Sequence, residues 1–359
     1  MGTKTIWEGR MKILFIGGTG TISMAITKQL LADGQELYLL NRGNRNSALA
    51  AQLPGGEWNR PREIICDINN EEEAAEKLAG MTFDVVADFI AFEKWQLERD
   101  YRLFKGKVKQ FIFISSAATY QKPCSDFMIT ESTPQCNPYW LYARNKIEGE
   151  EYMMKVYREE GFPVTIVRPS HTFDERNLPL GMHGDKGSWQ ICRRMLAGKP
   201  VIIHGDGTSL WTVTHNSDFA PGFIGLLGNP HALGQAVQIM SPESMTWNQI
   251  YETVADELGV ELNAVHISTE FLAAAGGEQF DFGSPLFGDK AHTVVFDISK
   301  LQRLVPGYMP KKSMAQALRE TVRNILEHPE LQKEDPEFEE WCDRVIAARQ
   351  AALDSLKKQ

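Results

Sequence analysis

Short runs of apolar residues alternate with amphipathic stretches along the first half of the chain, up to about Val167. The short runs are rich in β-branched and aromatic residues, as buried strands are, whereas the stretches between them have helical periodicity. The runs predict six strands, at Lys12–Ile16, Glu36–Leu40, Arg62–Ile65, Phe83–Asp88, Lys109–Ile114 and Val164–Arg168. The stretches predict four helices, at Ile22–Ala32, Glu71–Ala79, Lys94–Phe104 and Tyr139–Glu160. Such alternation is typical of a parallel sheet joined by crossover helices.

This pattern predicts an α/β fold of the Rossmann type, a doubly wound parallel sheet with a smaller C-terminal lobe. We predict that residues 11–169 form the core. Residues 170–330 lose the regular alternation, so we expect a lobe that is interleaved with the core and covers the C-terminal edge of the sheet. Residues 331–359 predict a helical tail, whose expected buried positions are Phe338, Trp341, Val345 and Ile346.

Composition argues against several classes of protein. The 359 residues include 38 basic and 47 acidic ones, a net charge of −9, and we find no basic stripe, so we expect no nucleic-acid partner. The five cysteines show no CxxC spacing, which indicates neither a zinc site nor a disulfide framework and favours the cytoplasm. No apolar run approaches the ~18 residues that cross a bilayer, so we expect no membrane partner.

A glycine-rich turn follows the first predicted strand and opens the first predicted helix. Gly17 permits a tight turn, and Gly18 and Gly20 allow a pyrophosphate to approach the backbone closely. The N-terminus of the helix supplies N–H groups and the positive end of its dipole. Ser23, in the place of a third glycine, is small enough for close packing of helix on strand. The turn predicts a dinucleotide site formed by Gly17, Gly18, Thr19, Gly20, Thr21 and Ile22.

The end of the second predicted strand bears on which dinucleotide is bound. A carboxylate at this place would bind the ribose hydroxyls of NAD and repel a 2′-phosphate. This chain has Asn41 instead, followed by Arg42 and Arg45, and a guanidinium pairs well with phosphate. We therefore favour NADP(H) as the cofactor, with NAD(H) as the alternative. The ends of the third and fourth strands are expected to border the same cofactor, through Asp67, Ile68, Phe89, Ile90 and Ala91.

A tyrosine and a lysine share one face of the long helix predicted after the fifth strand. Tyr142 and Lys146 lie four residues apart, so the ammonium is expected to stabilise the phenolate and lower the pKa of the phenol. Such a phenol serves as an acid or base when hydride leaves or reaches a carbon. Ser116 follows the fifth strand, at the sheet edge where ligands bind in this class of fold, and is expected to contact the substrate oxygen or Tyr142. We predict that Ser116, Tyr142 and Lys146 form the catalytic group.

These motifs, in this order, resemble the extended short-chain dehydrogenase/reductase superfamily and its NAD-dependent epimerase/dehydratase family, which includes UDP-galactose 4-epimerase. The resemblance runs from Met11 to about Pro329 and includes the glycine turn, the Ser115-Ser116 pair and the Tyr142–Lys146 motif. It implies that Lys146 and Tyr142 also bind the nicotinamide ribose, and that Ser115, Pro169 and His171 border the cofactor. It implies a sugar-like or sugar-nucleotide substrate, held in the lobe of residues 170–330.

The chain departs from the family's pattern at two places besides Asn41. Nucleotide-sugar members carry an arginine that holds the substrate diphosphate where this chain has Trp211, although Arg193, Arg194 or Lys199 could replace it. The indole of Trp211 is expected to stack on a sugar ring instead, with Ser116 and His215 as further substrate contacts. The 4,6-dehydratases have an Asp-Glu pair where this chain has Ala117-Ala118, so dehydration is disfavoured.

Three functions remain open at this point. The leading one is an oxidoreductase that acts on a carbonyl or secondary alcohol of a sugar-like substrate. The second is a nucleotide-sugar epimerase with tightly held NAD, and the third is a noncatalytic protein that senses nucleotides or associates with RNA. The resemblance also implies a homodimer formed by helices 94–104 and 139–160. We predict no metal, because His183 and Asp185 are too few for a site.

Overall fold

The computed structural model describes residues 9–53, 60–277 and 279–357. Its centre is a parallel sheet of seven strands in the order β12-β7-β5-β4-β1-β2-β3. The strands of this sheet are β1 (Lys12–Ile16), β2 (Glu36–Asn41), β3 (Arg62–Ile65), β4 (Phe83–Asp88), β5 (Val108–Ile114), β7 (Val164–Pro169) and β12 (Gln235–Ile239). The prediction of a doubly wound Rossmann-type fold is confirmed.

Short strands form four two-stranded sheets outside the central one. They are β6 (Met128–Ile129), β8 (His171–Phe173), β9 (Val201–His204), β10 (Leu210–Trp211), β11 (Val213–His215), β13 (Met245–Thr246), β14 (Ala264–Ile267) and β15 (Val295–Phe296). The pairs are β10 with β13, β11 with β8, β14 with β9, and β15 with β6.

Helices cover both faces of the central sheet and build the rest of the lobe. The α-helices up to the last central strand are α1 (Ser23–Ala32), α2 (Asn46–Gln52), α3 (Glu71–Lys77), α4 (Lys94–Phe104), α5 (Leu141–Glu160), α6 (Trp189–Leu196) and α7 (Asn216–Leu226). Those that follow are α8 (Trp247–Leu258), α9 (Thr269–Gly276), α10 (Gly283–Pro285), α11 (Ser299–Leu304), α12 (Met314–Glu327) and α13 (Pro336–Lys357). No helix among the described ranges is long and apolar enough to cross a membrane.

The apolar strands divide the core into two clusters, one on each face of the sheet. Alternate residues of one strand face opposite sides, so Ile13 and Phe15 of β1 belong to one cluster, and Leu14 and Ile16 to the other. Strands covered on both faces are largely apolar, which is why β1, β2, β4 and β5 stand out in the sequence, whereas β3 lies exposed at the edge of the sheet.

The seventh strand, β12, was not predicted, because polar residues interrupt its apolar pattern. Gln238 is fully buried in it, and its side chain bonds three groups: its Nε2 donates to the carbonyls of Ile129 and Asp297, and its Oε1 accepts from the hydroxyl of Tyr120. Val237 of β12 pairs with Val167 of β7. A segment distant in sequence therefore completes the central sheet.

The last helix, α13, packs against the lobe through a buried face and a set of ion pairs. Phe338, Trp341, Cys342 and Val345 are buried, whereas Ile346 is only partly buried. The Arg194 guanidinium lies 3.0 Å from Glu339 and 2.7 Å from Asp343, and Lys199 contacts the same two carboxylates. Arg193 pairs with Glu334, just before the helix. These three cations anchor the C-terminal segment and do not replace the missing diphosphate clamp.

A buried ion pair fixes α5 against the central sheet. Glu150 of α5 accepts hydrogen bonds from Nε and Nη2 of Arg168, on β7, and both side chains are almost fully buried. The hydroxyl of Ser115 and the amide of Gln135 donate to the same carboxylate. Three separate segments thus meet at Glu150.

Replacing Glu150 with alanine should destabilise the protein strongly, because it leaves the Arg168 charge buried without its partner. We expect the free energy of unfolding, measured by urea titration, to fall by about 3–5 kcal/mol. The double variant Glu150→Met/Arg168→Met removes both charges and should lose less than Glu150→Ala alone. The exposed Glu148→Ala in the same helix is the matched control. Equal losses for Glu150→Ala and Glu148→Ala would contradict this role.

Candidate functional site

The glycine turn between β1 and α1 has the conformation that its sequence predicts. Gly17 and Gly18 adopt φ angles of +99° and +89°, which side chains rarely allow. A Cβ on Gly18 would lie 2.5 Å from Cδ2 of Leu39, so β2 can approach the turn only because this residue is glycine. The hydroxyl of Ser23 accepts a hydrogen bond from the Gly20 amide at 3.0 Å. Ser23 therefore closes the turn in place of the third glycine.

Helix α1 begins at this turn with its N-terminus open to a ligand. No described side chain caps its first N–H groups, which carry the positive end of the helix dipole. A cleft of about 670 Å³ lies in front of them. It is lined by residues 17–23, 40–45, 66–69, 89, 90 and 92. Of the predicted cofactor residues, these include Gly17, Gly18, Thr19, Gly20, Thr21, Ile22, Asn41, Arg42, Asp67, Ile68, Phe89 and Ile90. The cleft fits a dinucleotide with its pyrophosphate at the helix start.

The polar residues after β2 have different roles from one another. The Asn41 amide donates to the Gly17 carbonyl at 3.2 Å and to Oδ1 of Asn46 at 3.0 Å, and its oxygen accepts from the Gly43 amide. Asn41 thus holds the loop together. Arg42 and Arg45 are exposed, and neither guanidinium group bonds or pairs with any described residue. Their guanidinium groups remain available to an anion in the cleft.

Asp88, the last residue of β4, shapes the floor of the cleft and was missed in the sequence. Its Oδ1 accepts hydrogen bonds from the amides of Ile90 at 2.6 Å and Ala91 at 2.9 Å, which fixes the turn beneath the cofactor. Its Oδ2 lies 3.3 Å from the buried Arg99 guanidinium of α4. An acidic residue at the end of an otherwise apolar strand was the available signal.

Tyr142 stands beside the cleft in an aromatic setting. Its ring centroid is 4.8 Å from that of Trp140 and 6.3 Å from that of Phe92, which itself lines the cleft. Burial raises the pKa of Tyr142, whereas the Ser116 hydroxyl beside the phenol lowers it. The phenol is therefore held in its protonated form, and the expected lowering of its pKa is not what this geometry gives.

Lys146 is buried one helical turn further along α5. Its Nζ donates to the carbonyl of Ala91 at 2.6 Å and to that of Ile114 at 2.7 Å, so it joins the cleft floor to the end of β5. Burial lowers the pKa of Lys146 to about 8, against the charges of Asp88 and Glu150, which raise it. At neutral pH the amine is mostly protonated, and one of its three N–H groups is free for a ligand.

Ser116 and Ser115 point in different directions. Ser116 begins a short 3-10 turn, where its hydroxyl accepts a hydrogen bond from the Ala118 amide at 3.1 Å. Ser115 is buried, and its hydroxyl donates to Glu150. Ser115 therefore has a structural partner, whereas Ser116 faces Tyr142.

Pro169 and His171 continue the same edge of the sheet. Pro169 is the last residue of β7, and His171 is the first of β8. The Nδ1 atom of His171 is buried, with no hydrogen-bond partner among the described residues. Burial and the nearby Lys290 charge hold the pKa of His171 well below its usual value, so the ring is neutral.

Known proteins match this arrangement. Residues 13–239 match the model of the NAD dependent epimerase/dehydratase family. The chain belongs to this family. It is therefore an enzyme of the extended short-chain dehydrogenase/reductase type, with a nicotinamide dinucleotide as its cofactor.

Individual relatives differ in the activities that their names describe. The 2'-dehydrokanamycin reductase of Streptomyces kanamyceticus is 24% identical over 304 residues, which cover 85% of this chain and 82% of the reductase. The chloroplast stem-loop binding protein of 41 kDa b of Arabidopsis thaliana is 25% identical over 280 residues, which cover 76% of this chain and 68% of that protein. UDP-glucuronic acid 4-epimerase from Bacillus cereus, solved with NAD, superposes with a TM-score of 0.68 at 20% identity, covering 90% of this chain and 100% of the epimerase. This last likeness shows the fold alone.

Two residues expected from the sequence to contact the substrate, Trp211 and His215, are buried in the structure. Trp211 is 3% exposed and stacks on Trp247 with a centroid distance of 5.4 Å, so its ring packs in the lobe instead of presenting a face to a sugar. His215 is buried and caps α7, because its Nδ1 accepts from the Ser217 amide. The expectation for Trp211 needs correction, since spacing does not report which aromatic ring finds a partner ring, whereas the substrate contact of His215 stays a prediction.

The lobe instead brings a polar pair close to Tyr142, which the sequence did not reveal. The Asp289 charge raises the pKa of Tyr142, and Asp289 pairs with Lys122 at 3.5 Å. Burial lowers the pKa of its neighbour Lys290 to about 8, and the Nζ of Lys290 donates to the Gly181 carbonyl at 3.1 Å. No motif surrounds these residues, so only the fold could find them.

The structure adds no support for a metal at this site. His183 bonds the carbonyl of Gly184 through its Nδ1, while Asp185 is exposed. Within residues 9–53, 60–277 and 279–357, no three His, Cys, Asp or Glu side chains are grouped to hold an ion.

Proposed function

We propose that the protein is an NAD(P)-dependent oxidoreductase that interconverts a carbonyl and a secondary alcohol of a sugar-like substrate. The observation that carries this proposal is the grouping of Tyr142 with Ser116 and Lys146 beside the dinucleotide cleft. Tyr142 is proposed as the acid/base, Ser116 as the hydrogen-bond partner of the substrate oxygen, and Lys146 as a ligand of the nicotinamide ribose.

The proton balance favours reduction of a carbonyl. When bound, the dinucleotide supplies or accepts the hydride. As hydride reaches the carbonyl carbon, its oxygen takes the proton from the hydroxyl of Tyr142, and the alcohol is formed. The raised pKa of Tyr142 keeps that proton in place until it is needed. Lys146 lies over the ring of Tyr142, 5.7 Å from its centroid, and is proposed to hold the nicotinamide ribose in front of the phenol.

Epimerisation of a nucleotide sugar is the second candidate. It is favoured by the family and by the likeness to a UDP-glucuronic acid 4-epimerase. The likeness to the reductase of Streptomyces kanamyceticus favours an oxidoreductase instead. So does Trp211, which stands where nucleotide-sugar enzymes of this family carry an arginine. Mass spectrometry of the native protein separates the two, because an epimerase should retain NAD through purification and an oxidoreductase should exchange its cofactor.

Association with RNA, which the name of the Arabidopsis thaliana relative describes for that protein, has less support here. The chain carries a net charge of −9, and phosphate-backbone binding needs positive charge. We therefore propose a small molecule, and not a nucleic acid, as the partner. We also propose a reducing cytoplasm as the location, since the five cysteines are free thiols.

Replacing Tyr142 with phenylalanine should abolish most of the activity without unfolding the protein. The ring keeps its contacts with Trp140 and Phe92, but the proton donor is lost. With any carbonyl substrate that the enzyme accepts, turnover followed by NAD(P)H absorbance should fall at least ~100-fold, with cofactor affinity nearly unchanged. Tyr139→Phe, an exposed tyrosine three residues earlier, is the control. Unchanged turnover would remove Tyr142 from the mechanism.

NADP(H) is the proposed cofactor, and Arg42 is the residue that should select it. A 2′-phosphate after β2 would gain charge-assisted bonds to Arg42, and Arg45 lines the same cleft. Arg42→Ala should therefore weaken NADPH binding about ten- to a hundredfold and NADH binding far less, in fluorescence titrations. Arg303→Ala, outside the cleft, should change neither affinity. Tighter NADH than NADPH binding by the wild type would contradict the proposal.

Asn41→Asp, which puts a carboxylate where it would repel a 2′-phosphate, is a weaker test of cofactor choice than Arg42→Ala. The asparagine amide donates two hydrogen bonds that hold the loop, and a carboxylate would lose both. A loss of affinity for both dinucleotides would then reflect the loop and not the 2′-phosphate. Arg42 makes no such contact, so its removal is the cleaner change.

A homodimer through α4 and α5 is the proposed assembly. The two helices pack side by side, and α4 exposes Trp95, with 47% of its surface accessible. Light scattering at micromolar concentration should give twice the mass of one chain. A monomeric mass would overturn the dimer without touching the proposed chemistry.

A further inference from the structure

A second cavity adjoins the cofactor cleft on the side of the lobe. It measures about 330 Å³ and shares Thr21 and Arg45 with the cleft. Its lining includes four cationic side chains, Arg45, Arg176, Lys186 and Lys333, against two acidic ones, Asp174 and Asp185. In a chain whose net charge is −9, this local excess of positive charge next to a dinucleotide cleft favours an anionic group.

Arg176 is the cation of this cavity that reaches the glycine turn. Its Nη2 lies 3.4 Å from the hydroxyl of Thr21, two residues before α1, in the turn where a pyrophosphate fits. Asp174 orients the guanidinium: it accepts from Nε of Arg176 at 3.1 Å and also contacts Nη2, while its other oxygen accepts from the Arg176 amide. Nη1 of Arg176 bonds no described residue. The Nε and Nη2 groups of the guanidinium are thus held in place, and Nη1 is available to a ligand.

A second contact from the lobe holds the same residue of the turn. The Asn216 amide, at the start of α7, donates to the Thr21 carbonyl at 3.0 Å. Arg176 and Asn216 come from segments more than 150 positions along the chain from Thr21, and both converge on it. The lobe therefore contacts the glycine turn at Thr21, close to the N-terminus of α1 that faces the cleft.

We infer that Arg176, positioned by Asp174, binds the pyrophosphate of the dinucleotide from the lobe side, opposite the N–H groups of α1. A guanidinium is well suited to phosphate oxygens, because it presents several N–H groups in one plane. Asp174 engages Nε and Nη2 of the partly exposed Arg176, and phosphate oxygens would be the partners of Nη1. The inference rests on the nicotinamide dinucleotide and not on the substrate, so it can fail while the proposed chemistry stands.

The test is the binding of four ligands to the ligand-free protein, followed by tryptophan fluorescence or calorimetry. NADH, NADPH and ADP-ribose contain the pyrophosphate, whereas AMP has a single phosphate. Arg176→Ala should weaken the first three by about ten- to a hundredfold, equally for NADH and NADPH, and AMP much less. Arg176→Lys, which keeps the charge but not the fork, should recover part of the loss.

The matched control is Arg193→Ala, another lobe arginine with one acidic partner, which should bind all four ligands as the wild type does. Where Arg176→Ala fails to fold, Arg176→Gln keeps the length without the charge and carries the same comparison. Unchanged affinities would overturn the inference. Losses confined to NADPH would also overturn it, because they would assign Arg176 to the 2′-phosphate. Equal losses for AMP and ADP-ribose would overturn it as well, because the effect would then not depend on the pyrophosphate.

Discussion

The buried pair of Glu150 and Arg168 is the constraint on which the arrangement of the site depends. A buried carboxylate and guanidinium must remain together, since separating them would leave an uncompensated charge inside the protein. Tyr142, Lys146 and Glu150 follow one another at intervals of four and so share one face of α5. The contact of Glu150 with β7 therefore also fixes the position of α5 along its axis. This position lets Lys146 bond the end of β5 and places Tyr142 beside the cleft. The helix cannot slide or rotate without breaking this pair.

The sequence predicted the parts of the site whose roles depend on local geometry. A turn with two positive φ angles needs glycines, and a helix places residues four apart on one face, so Gly17, Gly18, Tyr142 and Lys146 could be recognised. Side-chain partners that lie far apart in sequence could not be inferred. Ser115 was expected at the cofactor, but its hydroxyl bonds Glu150, and Trp211 was expected at a sugar, but its ring stacks on Trp247. The local sequence pattern predicts which residues share one face of a helix or strand. Which side chains then contact one another depends on the three-dimensional fold.

The contacts that residues of the lobe make with the core could not be predicted from the sequence either. Strand β12 enters the central sheet from beyond residue 230, and its buried Gln238 is stabilised by three bonds that only the folded chain provides. Asp289 approaches Tyr142 from still further along the chain, and its neighbour Lys290 bonds the carbonyl of Gly181. The Asp289 charge raises the pKa of Tyr142, although no sequence motif marks Asp289. A substrate would therefore be chosen by residues that have no recognisable sequence pattern, which is why the family is evident and the substrate is not.

The floor of the cleft and Lys146 form one hydrogen-bonded unit. Asp88 holds the amides of Ile90 and Ala91, and the carbonyl of the same Ala91 accepts from Lys146. Arg99 neutralises Asp88 and also bonds Asp100, whose pKa is raised well above its usual value by burial and by the Asp88 charge. Because Asp100 takes up a proton more readily, a single guanidinium is enough for the two buried carboxyl groups. The turn at 89–91 and the ammonium of Lys146 are therefore joined through one residue, Ala91, whose amide bonds Asp88 and whose carbonyl bonds Lys146.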